Sequence, residues 1–393
     1  MRNVVIVGAA RTPIGDYLGS LKEVSAVDLG VTAVTGALNK AGLKPEQVNE
    51  VLMGMCMQGG AKGNPARQIQ IAAKIPVEAP AATINQQCGS AMRALEIAAQ
   101  QIMLGKEDVI VAGGIESMSQ APYYLLKARE GFRMGDGKIH DALTYDGLND
   151  AINGYHMGIT TENLVEKYNI SRQEQDELAI LSHQRAIAAM QAGTFKEEIV
   201  PVEISTRKGT KIVDSDEHPR ADISLEKLAK LRPAFKKDGT VTAGNASGIN
   251  DGAAALVLMA EDKAKELGIK PLARVLNTAS YGVDPSIMGI GPAYAIPKAL
   301  NFINLKLADI DLFEINEAFA GQFLACNREL NIPMDKVNRN GSGISLGHPV
   351  GATGVRIIVS LLYEMKRQGS RLGVASLCCG GGPGIAAVVE SLD

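Results

Sequence analysis

The sequence predicts an α/β protein made of two similar halves, each with a helix-covered sheet, and an inserted α+β segment. Three observations support this fold class. Short apolar runs rich in Val and Ile alternate with segments of helical periodicity, this order of elements occurs twice, and a stretch of different composition interrupts the first copy. The 393 residues, 46% of them apolar, are enough for two or three domains with large buried cores.

The first half opens with the strand NVVIVGAA and the helix AVDLGVTAVTGALNKAG, in which Gly42 occupies the stop position. Next come the strand VNEVLMGMC, a helix that runs from just after Cys88 to Gly105, and the strand DVIVAGG. Strands that alternate with helices in this way indicate a largely parallel sheet covered by helices.

The second half repeats this alternation. It contains the strand PLARVLNTASYGV, the helix GPAYAIPKALNFINL and the strand-to-helix segment IDLFEINEAFAGQFLACNREL. A glycine-rich segment and a long helix follow over residues 337–369, and then come the strands LGVASLCC and GIAAVVES. The identity between the halves is weak, but the order of the elements indicates a duplicated unit.

An insertion separates the last two strands of the first half. In the second half CCGGGPG leads straight into IAAVVES, whereas the first-half turn VAGGIESMS meets its matching strand, DGAAALVLMAE, only at Asp251. We therefore predict a first catalytic half at 1–118 and 249–270, an inserted loop domain at 119–248, and a second catalytic half at 271–393. The insertion holds most of the charge-rich and glycine-rich loops, and such loops usually hold ligands.

Composition and charge exclude several classes of protein. A net charge of −3 without a long basic block argues against nucleic acid or a membrane surface as a partner. No window approaches the roughly 20 apolar residues of a membrane span, and no secretory leader is expected because the first apolar run is too short. Five scattered cysteines without a CxxC pair favour reduced thiols in the cytoplasm over disulfides or a metal site.

Cys88 is the first candidate catalytic residue. Apolar residues recur after it at 91, 92, 95, 98, 99, 102 and 103, so Cys88 should lie at a helix N-terminus. Unpaired N–H groups and the helix dipole favour a thiolate there, and Gly89, Ser90 and Ala91 leave room for a substrate. A buried cysteine that acts as a small hydrophobic residue explains this segment equally well.

Three further loops combine polar side chains with glycine. His348 is surrounded by glycines in NGSGISLGHPVGATG, which suits a general base on a sharp turn, and the alternative is an exposed loop histidine. The strand that ends at Cys378 and Cys379 runs into three glycines, which indicates a close approach to the backbone. Asn316 in EINEAFAGQF is an uncharged donor suited to polarising a carbonyl. No dinucleotide fingerprint or phosphate loop occurs in the sequence.

Together, the motifs CGSAM, NEAF, GHPVGATG and CCGGGPG resemble the thiolase family in order and spacing, and the resemblance covers essentially the whole chain. Within that family, GYHMGITTENL, LRPAF and TAGNASGINDGAAA are similar to the short-chain acetyl-CoA acetyltransferases. The resemblance implies mixed, five-stranded sheets in both halves and a homotetramer built as a dimer of dimers, with the loop before Gly147 as a contact. In one departure, Ala91 stands where the family usually has glycine, and its methyl is expected to tighten the acyl pocket.

The resemblance also implies a two-step acyl transfer without a metal or cofactor, with acetyl-CoA, acetoacetyl-CoA and CoA as substrates and products. Cys88 would attack an acetyl thioester while His348 accepts its proton, and Cys378 would then deprotonate the methyl group of a second acetyl-CoA. His348 and a water held by Asn316 would stabilise the enolate. The N–H groups of Cys88 and Gly380 would stabilise the tetrahedral oxyanion.

For coenzyme A, the resemblance points mainly to the insertion. Ala243 and Ser247 would line the pantetheine tunnel, and Arg220 would lie near the nucleotide phosphates. The walls would be formed by Leu148, His156, Met157, Phe235, Met288, Ala318 and Phe319. Most of the apolar residues could equally belong to the core, but Met157 resembles residues that close the acyl pocket to long chains.

Two other functions fit part of the pattern. A cysteine hydrolase would use Cys88, His348 and Asn316 but leaves Cys378 without a role. A non-catalytic acyl-CoA-binding protein would carry the same residues as a vestigial site. The remaining histidines, His140, His183 and His218, are expected to be surface or structural residues.

Overall fold

A ten-stranded mixed sheet runs through the computed structural model, which describes residues 1–207 and 209–392. The strands, numbered along the chain, are β1 (Val4–Arg11), β2 (Gly15–Asp16), β3 (Glu50–Gly54), β4 (Ala81–Ile84), β5 (Val109–Ser117), β6 (Tyr123–Tyr124), β7 (His140–Asp141), β8 (Val202–Thr206), β9 (Gly209–Val213), β10 (Asn250–Ala260), β11 (Ala273–Gly282), β12 (Leu312–Ile315), β13 (Leu372–Cys378) and β14 (Pro383–Ser391). Across the large sheet their order is β12-β13-β14-β11-β1-β10-β5-β3-β4, and β2 pairs with β10.

Helices cover both faces of this sheet. They are α1 (Ala26–Ala41), α2 (Pro65–Ala72), α3 (Ser90–Met103), α4 (Met157–Lys167), α5 (Arg172–Gln191), α6 (Leu225–Ala229), α7 (Glu261–Glu266), α8 (Gly291–Phe302), α9 (Ala320–Leu330), α10 (Gly343–Leu346) and α11 (Thr353–Gln368). The predicted stop after α1 is confirmed, because Gly42 takes φ +67 and its N–H bonds back to the last turn.

The first half contributes six strands to the sheet, five in the order β4-β3-β5-β10-β1 and the two-residue strand β2 beside β10. Strand β3 pairs in parallel with β4 and β5, whereas β10 pairs antiparallel with β5 and β1. Every residue of β5 and of β10 is buried, as expected for strands covered on both faces. The five strands expected for this half are therefore present.

The second half contributes four strands, β11-β14-β13-β12, rather than the five expected. A single bridge between Phe313 and Val337 takes the place of the fifth strand. It extends no further because the side chain of Asn338 bonds both the N–H and the C=O of Ile315, each at 2.8 Å, and so replaces main-chain pairing. The halves are joined where Val4–Ile6 of β1 pair with Ala273–Val275 of β11.

Two long helices, α3 and α11, pack together at the centre of the molecule. One core cluster contains residues of both helices and of strands from both halves. Their crossing is close, because a Cβ at Gly354 would lie only 2.6 Å from the backbone N of Met92. Each helix begins next to a loop that carries a candidate catalytic residue, so the crossing brings those loops together.

The predicted insertion leaves the sheet at Ser117 and returns at Asn250. Since β5 and β10 pair antiparallel over residues 109–117 and 251–259, its two ends lie side by side. It contains α4, α5, α6 and two small hairpins, β6–β7 and β8–β9. Within the described residues, no helix has both the length and the apolar character that a membrane span requires.

Candidate active site

Cys88 lies in a tight turn between β4 and α3. Gln87 adopts a left-handed φ of +50, which positions Cys88 directly before Gly89, the N-cap of α3. Cys379 packs beneath this turn, because a Cβ at Gly89 would lie 2.6 Å from its sulfur. The predicted position of Cys88 at a helix N-terminus is therefore confirmed. Glycine is needed at position 89 because a larger side chain would collide with the sulfur of Cys379.

Burial decides the protonation state of Cys88. Its side chain is almost inaccessible, and this burial raises its pKa to about 11, although backbone hydrogen bonds from Gly380 and from Cys88 itself lower it. The thiolate expected from the helix N-terminus is thus not the resting form. At neutral pH the group is a thiol, and it needs a base to become a nucleophile.

Cys378 ends β13 and is fully buried. Burial raises the pKa of its thiol well above the usual range, and the nearby Cys88 contributes in the same direction. Gly380 lies at the meeting point of these groups, since it hydrogen-bonds Cys88 and a Cβ there would collide with Met157. Of the three glycines after Cys378, Gly380 is therefore explained by the approach of Met157, whereas Gly381 and Gly382 have φ of +83 and +110.

His348 lies on the loop between α10 and α11 and is 5% exposed. Its Nδ1 is 2.7 Å from Oγ1 of Thr353, whose hydroxyl donates to the carbonyl of Pro349 at 2.9 Å. Thr353 must then accept a hydrogen bond from Nδ1–H, which leaves the lone pair on Nε2. Burial, together with the charge of Arg356, lowers the pKa of His348 to about 3, so the ring is neutral and can act as a base.

Asn316 follows β12 and is fully buried. Its Nδ2 is 3.5 Å from Nε2 of His348, and its Oδ1 accepts a hydrogen bond from Nη2 of Arg356 at 3.5 Å. Because a guanidinium can only donate, Arg356 fixes which end of the amide carries the oxygen. The Nδ2 group of Asn316 therefore points toward the imidazole of His348.

The loops that carry Cys88 and His348 converge above Gly114 of β5. A Cβ at Gly114 would collide with the carbonyl of Gly351 and would lie 2.6 Å from Cβ of Ala91 and 2.8 Å from Cα of Ala352. These three neighbours follow Cys88 and His348 by only a few residues. The methyl of Ala91 packs against Gly114 and belongs to the core cluster that also contains Cys88, and its effect on the acyl pocket stays a prediction.

An apolar cluster surrounds Cys378. Of the predicted wall residues, five share one cluster with this cysteine: Met157, Phe235, Met288, Ala318 and Phe319. The ring of His156 stacks on Phe235 with centroids 4.4 Å apart, and Phe235 meets Phe319 edge to face at 5.9 Å. The structure thus brings most of the predicted wall together around one of the two candidate cysteines.

Arg220 and Ala243 line a neighbouring cavity of about 230 Å³ in the insertion. Ala246 belongs both to the wall of this cavity and to the apolar cluster around Cys378, so the two spaces adjoin. Arg220 is exposed to solvent, whereas Lys227 on the same wall is paired with Asp222 at 2.5 Å. Such a cavity suits an anionic group attached to a longer ligand.

Two residues predicted to line the coenzyme A site, Ser247 and Leu148, contact segments that are distant in sequence. The backbone N–H of Ser247 donates to the carbonyl of Ala318 at 2.9 Å, which ties the insertion to the second half. Leu148 ends the π-helical segment Leu143–Leu148 and packs against the core cluster that contains Cys88. Both are partly buried, so each retains some accessible surface.

Sequence reasoning missed the environment of two histidines. His183 and His218 are buried on the wall of the cavity that Arg220 lines, with ring centroids 6.2 Å apart. His183 Nδ1 accepts a hydrogen bond from the backbone N–H of Arg220 at 3.1 Å, while His218 pairs with Asp16 at 2.5 Å. Burial, aided by His218 and Arg220, lowers the pKa of His183 to about 4. Neither residue belongs to a recognisable motif, so only the fold reveals these contacts.

Known proteins are similar to this chain over its whole length. The family model described as the thiolase N-terminal domain matches residues 4–262, and that described as the thiolase C-terminal domain matches residues 269–391. A probable acetyl-CoA acyltransferase of Staphylococcus aureus (strain MRSA252) is 52% identical over 391 residues, 99% of each chain. An acetyl-CoA acetyltransferase of Chromobacterium violaceum is 53% identical over 388 residues, 98% of this chain and 99% of the relative.

Solved structures agree with these similarities. The acetyl-CoA acetyltransferase of Bacillus anthracis superposes with a TM-score of 0.98 at 52% identity, covering 100% of this chain and 99% of that one. Human mitochondrial 3-ketoacyl-CoA thiolase gives a TM-score of 0.96 at 45% identity and covers 99% of both chains. The mixed α/β architecture described above is therefore shared with both proteins.

Proposed function

The chain belongs to the thiolase family, and on that premise we propose that it is an acetyl-CoA acetyltransferase. It would condense two molecules of acetyl-CoA reversibly to acetoacetyl-CoA and CoA through an acetyl-Cys88 intermediate. One observation carries the proposal. The backbone of Gly380, two residues after Cys378, hydrogen-bonds Cys88, so two cysteines distant in sequence meet at one point.

The first step is the transfer of an acetyl group to Cys88. Because the pKa of Cys88 is about 11, only about one thiol in 10⁴ is ionised at neutral pH without help. Neutral His348 takes the proton, the thiolate attacks the thioester carbon, and the N–H groups of Cys88 and Gly380 donate hydrogen bonds to the developing oxyanion. CoA then leaves and takes the proton back from His348.

The second step forms the carbon–carbon bond. Cys378, ionised by passing its proton to His348, removes a proton from the methyl group of a second acetyl-CoA. The enolate oxygen faces His348 and Asn316, and the carbanion attacks the acetyl carbon on Cys88. Cys88 leaves as a thiolate and regains its proton from His348, so all three groups return to their starting states. No metal or prosthetic group is required by this sequence of steps.

The apolar cluster around Cys378 suits the acyl group and the pantetheine arm. The adjoining cavity with Arg220 suits the phosphates of the CoA nucleotide. Ala243 and Ser247 belong to the segment that connects the cavity of Arg220 with the apolar cluster around Cys378. This placement is expected if coenzyme A enters through a tunnel in the insertion. Substrate carbon atoms would then meet the catalytic groups at the end of an apolar passage.

Replacing Met157 by alanine is expected to widen the acyl pocket. Met157 packs over Gly380 and shares the apolar cluster with Cys378, so its removal leaves space next to the reacting carbon. Since one methylene is worth about 1–3 kcal/mol in such a pocket, kcat/KM for 3-oxohexanoyl-CoA relative to acetoacetyl-CoA should rise about tenfold or more. Steady-state thiolysis of both substrates measures this ratio.

A matched control is Met365→Ala, which truncates a buried methionine that packs against Gly373, in a different core cluster. It is expected to lower thermal stability without changing the ratio. An unchanged ratio in Met157→Ala, or the same change in both variants, would contradict the placement of the acyl pocket.

The proposed activity is tested by supplying acetoacetyl-CoA and CoA and measuring acetyl-CoA formation by liquid chromatography. A second sample with acetyl-CoA alone, digested and analysed by mass spectrometry, should show an acetyl group on Cys88. A cysteine hydrolase would release acetate instead, and a non-catalytic binding protein would leave Cys88 unmodified. Either result would overturn the proposal.

A cytoplasmic homotetramer with a role in lipid metabolism completes the proposal. Support for the assembly comes from apolar side chains that are exposed on one segment of the insertion, those of Leu125, Leu126, Phe132, Met134 and Ile139. Several large apolar side chains exposed on one short segment are expected at an interaction surface. Light scattering coupled to size-exclusion chromatography gives the mass of the particle in solution.

A further inference from the structure

The turn that carries His348 belongs to the second half of the chain, but two buried side chains of the first half hold it. Glu116 lies near the end of β5, and Asn250 begins β10. Strands β5 and β10 are antiparallel neighbours, with Glu116 opposite Gly252. The last residues of β5 and the first residues of β10 are therefore adjacent, so Glu116 and Asn250 lie at the same end of this strand pair. Neither has a part in the reaction proposed above.

Glu116 bonds three backbone N–H groups with one fully buried carboxylate. Its Oε2 accepts from Gly351 at 2.8 Å and from Cys56 at 3.0 Å, while Oε1 accepts from Met57 at 3.2 Å. Burial raises the pKa of Glu116 to about 7, although the three N–H groups favour the charged form. A buried carboxyl group with backbone N–H donors on both oxygens indicates a requirement for hydrogen-bond acceptors at both positions.

The same carboxylate reaches the loop of Cys88 through Cys56. The sulfur of Cys56 donates to Oε1 of Gln87 at 2.9 Å, and its carbonyl accepts from Nδ2 of Asn85 at 3.1 Å. Glu116 therefore connects the segment that ends at Cys88 with the turn that follows His348. One side chain thus contacts both loops, one of them directly and the other through Cys56.

Asn250 fixes the other end of the His348 turn. Its Oδ1 accepts from the backbone N–H of His348 at 2.9 Å, and its Nδ2 donates to the carbonyl of Gly15 at 3.0 Å. Gly347 has a φ of +102, and a Cβ there would lie 2.6 Å from Cγ of Asn250, so the amide packs directly against the turn. The backbone of His348 is thus held on one side by Asn250, and Gly351 is held on the other by Glu116.

We propose that Glu116 and Asn250 are positioning residues that set the imidazole of His348 relative to the sulfur of Cys88. They act through the backbone of the turn and touch no substrate. An error of about 1 Å in the position of a catalytic group can lower the rate about 100-fold. The contacts on either side of His348 are therefore expected to have a measurable effect on the rate. The catalytic effect of this inference rests on the proposed function, whereas its effect on Cys88 reactivity does not.

Glu116→Gln tests the inference with almost no change in shape. Whichever way the new amide turns, its NH₂ group faces a backbone N–H that the carboxylate oxygen had accepted. We expect kcat for acetoacetyl-CoA thiolysis to fall about 10- to 100-fold, with KM for CoA changed less than about twofold. Alkylation of Cys88 by iodoacetamide at neutral pH, followed by peptide mass spectrometry, should slow in parallel.

A double-mutant cycle separates positioning from a general loss of stability. In a His348→Ala background, adding Glu116→Gln should lower kcat by less than about twofold, because the base through which Glu116 acts is gone. Asn250→Ala should behave in the same way and serves if Glu116→Gln does not fold. The control is Glu364→Gln, a buried carboxylate on α11 that bonds Asn340 and Arg367 away from the turn, and it should leave kcat unchanged.

The possible results separate a failure of the positioning role from a failure of the proposed function. The inference fails if Glu116→Gln keeps the wild-type kcat and alkylation rate, or if its loss is equally large in the His348→Ala background. A wild-type chain without thiolysis overturns the proposed function instead. In that case a slower alkylation of Cys88 in Glu116→Gln still supports the positioning role, and an unchanged alkylation rate overturns it as well.

Discussion

Serine in place of Cys88 is expected to lower thiolysis of acetoacetyl-CoA by roughly 10⁴-fold or more. A hydroxyl is far harder to ionise than a thiol, and burial at this position already raises the pKa of the thiol to about 11. An acetyl group on serine would also be an ordinary ester, which gives up its acyl group to a carbanion or to CoA much less readily than a thioester does. Both half-reactions should therefore fail.

Stopped assays with acetoacetyl-CoA and CoA measure the loss directly. The matched control is Cys326→Ser, because Cys326 is also fully buried but donates to the carbonyl of Gly289 at 3.1 Å, a bond that a hydroxyl can make. Its activity should stay within about twofold of the wild type. If Cys88→Ser kept a tenth of the activity or more, Cys88 could not be the acyl carrier.

Removal of the imidazole in His348→Ala is expected to lower kcat by about 10²- to 10⁴-fold at neutral pH, the range of one general base. Cys88 would then depend on bulk hydroxide for ionisation. Because its pKa is about 11, the rate of iodoacetamide alkylation should rise about tenfold for each unit of pH, from about pH 6 to about pH 10. The variant should therefore recover reactivity as the pH rises.

The wild-type alkylation profile should show no titration of His348 in acid. Burial lowers the pKa of His348 to about 3, so the ring stays neutral as the pH falls from about 7 to about 5. Titration of this residue should not reduce alkylation in that interval. His140→Ala, which removes a histidine on β7 of the insertion, is the control and should keep the wild-type profile. A break in the slope of the wild-type profile between about pH 5 and about pH 7, absent from the His348→Ala profile, would contradict a His348 pKa of about 3.

Much of the fold was predictable because the sequence repeats its own pattern. Apolar runs marked the strands that are buried on both faces, and comparison of the two halves identified β10 as the partner of β5 across the insertion. The thiolase family and its α/β fold, expected from the motifs, are confirmed by the family models and by superposition on solved structures. The missing fifth strand of the second half was not predictable, since it depends on the side chain of Asn338 replacing main-chain bonds.

The site was predictable only in its residue types. Cys88 was placed correctly at the start of a helix, but its protonation state depends on burial by segments far away in sequence. Glu116 and Asn250 carry no local signal, because their partners belong to loops more than 50 residues distant. A motif identifies which groups react, whereas the packing of two halves decides how those groups are held.

The position of β10 between β1 and β5 has a consequence for biosynthesis. At about 5–20 residues per second, a ribosome needs roughly 10 s to make the insertion between Ser117 and Asn250. During that interval the nascent chain presents the open edges of β1 and β5, which are fully buried in the finished fold and are templates for pairing with other polypeptides. Newly made copies should therefore need chaperones that shield these edges until residue 260 emerges.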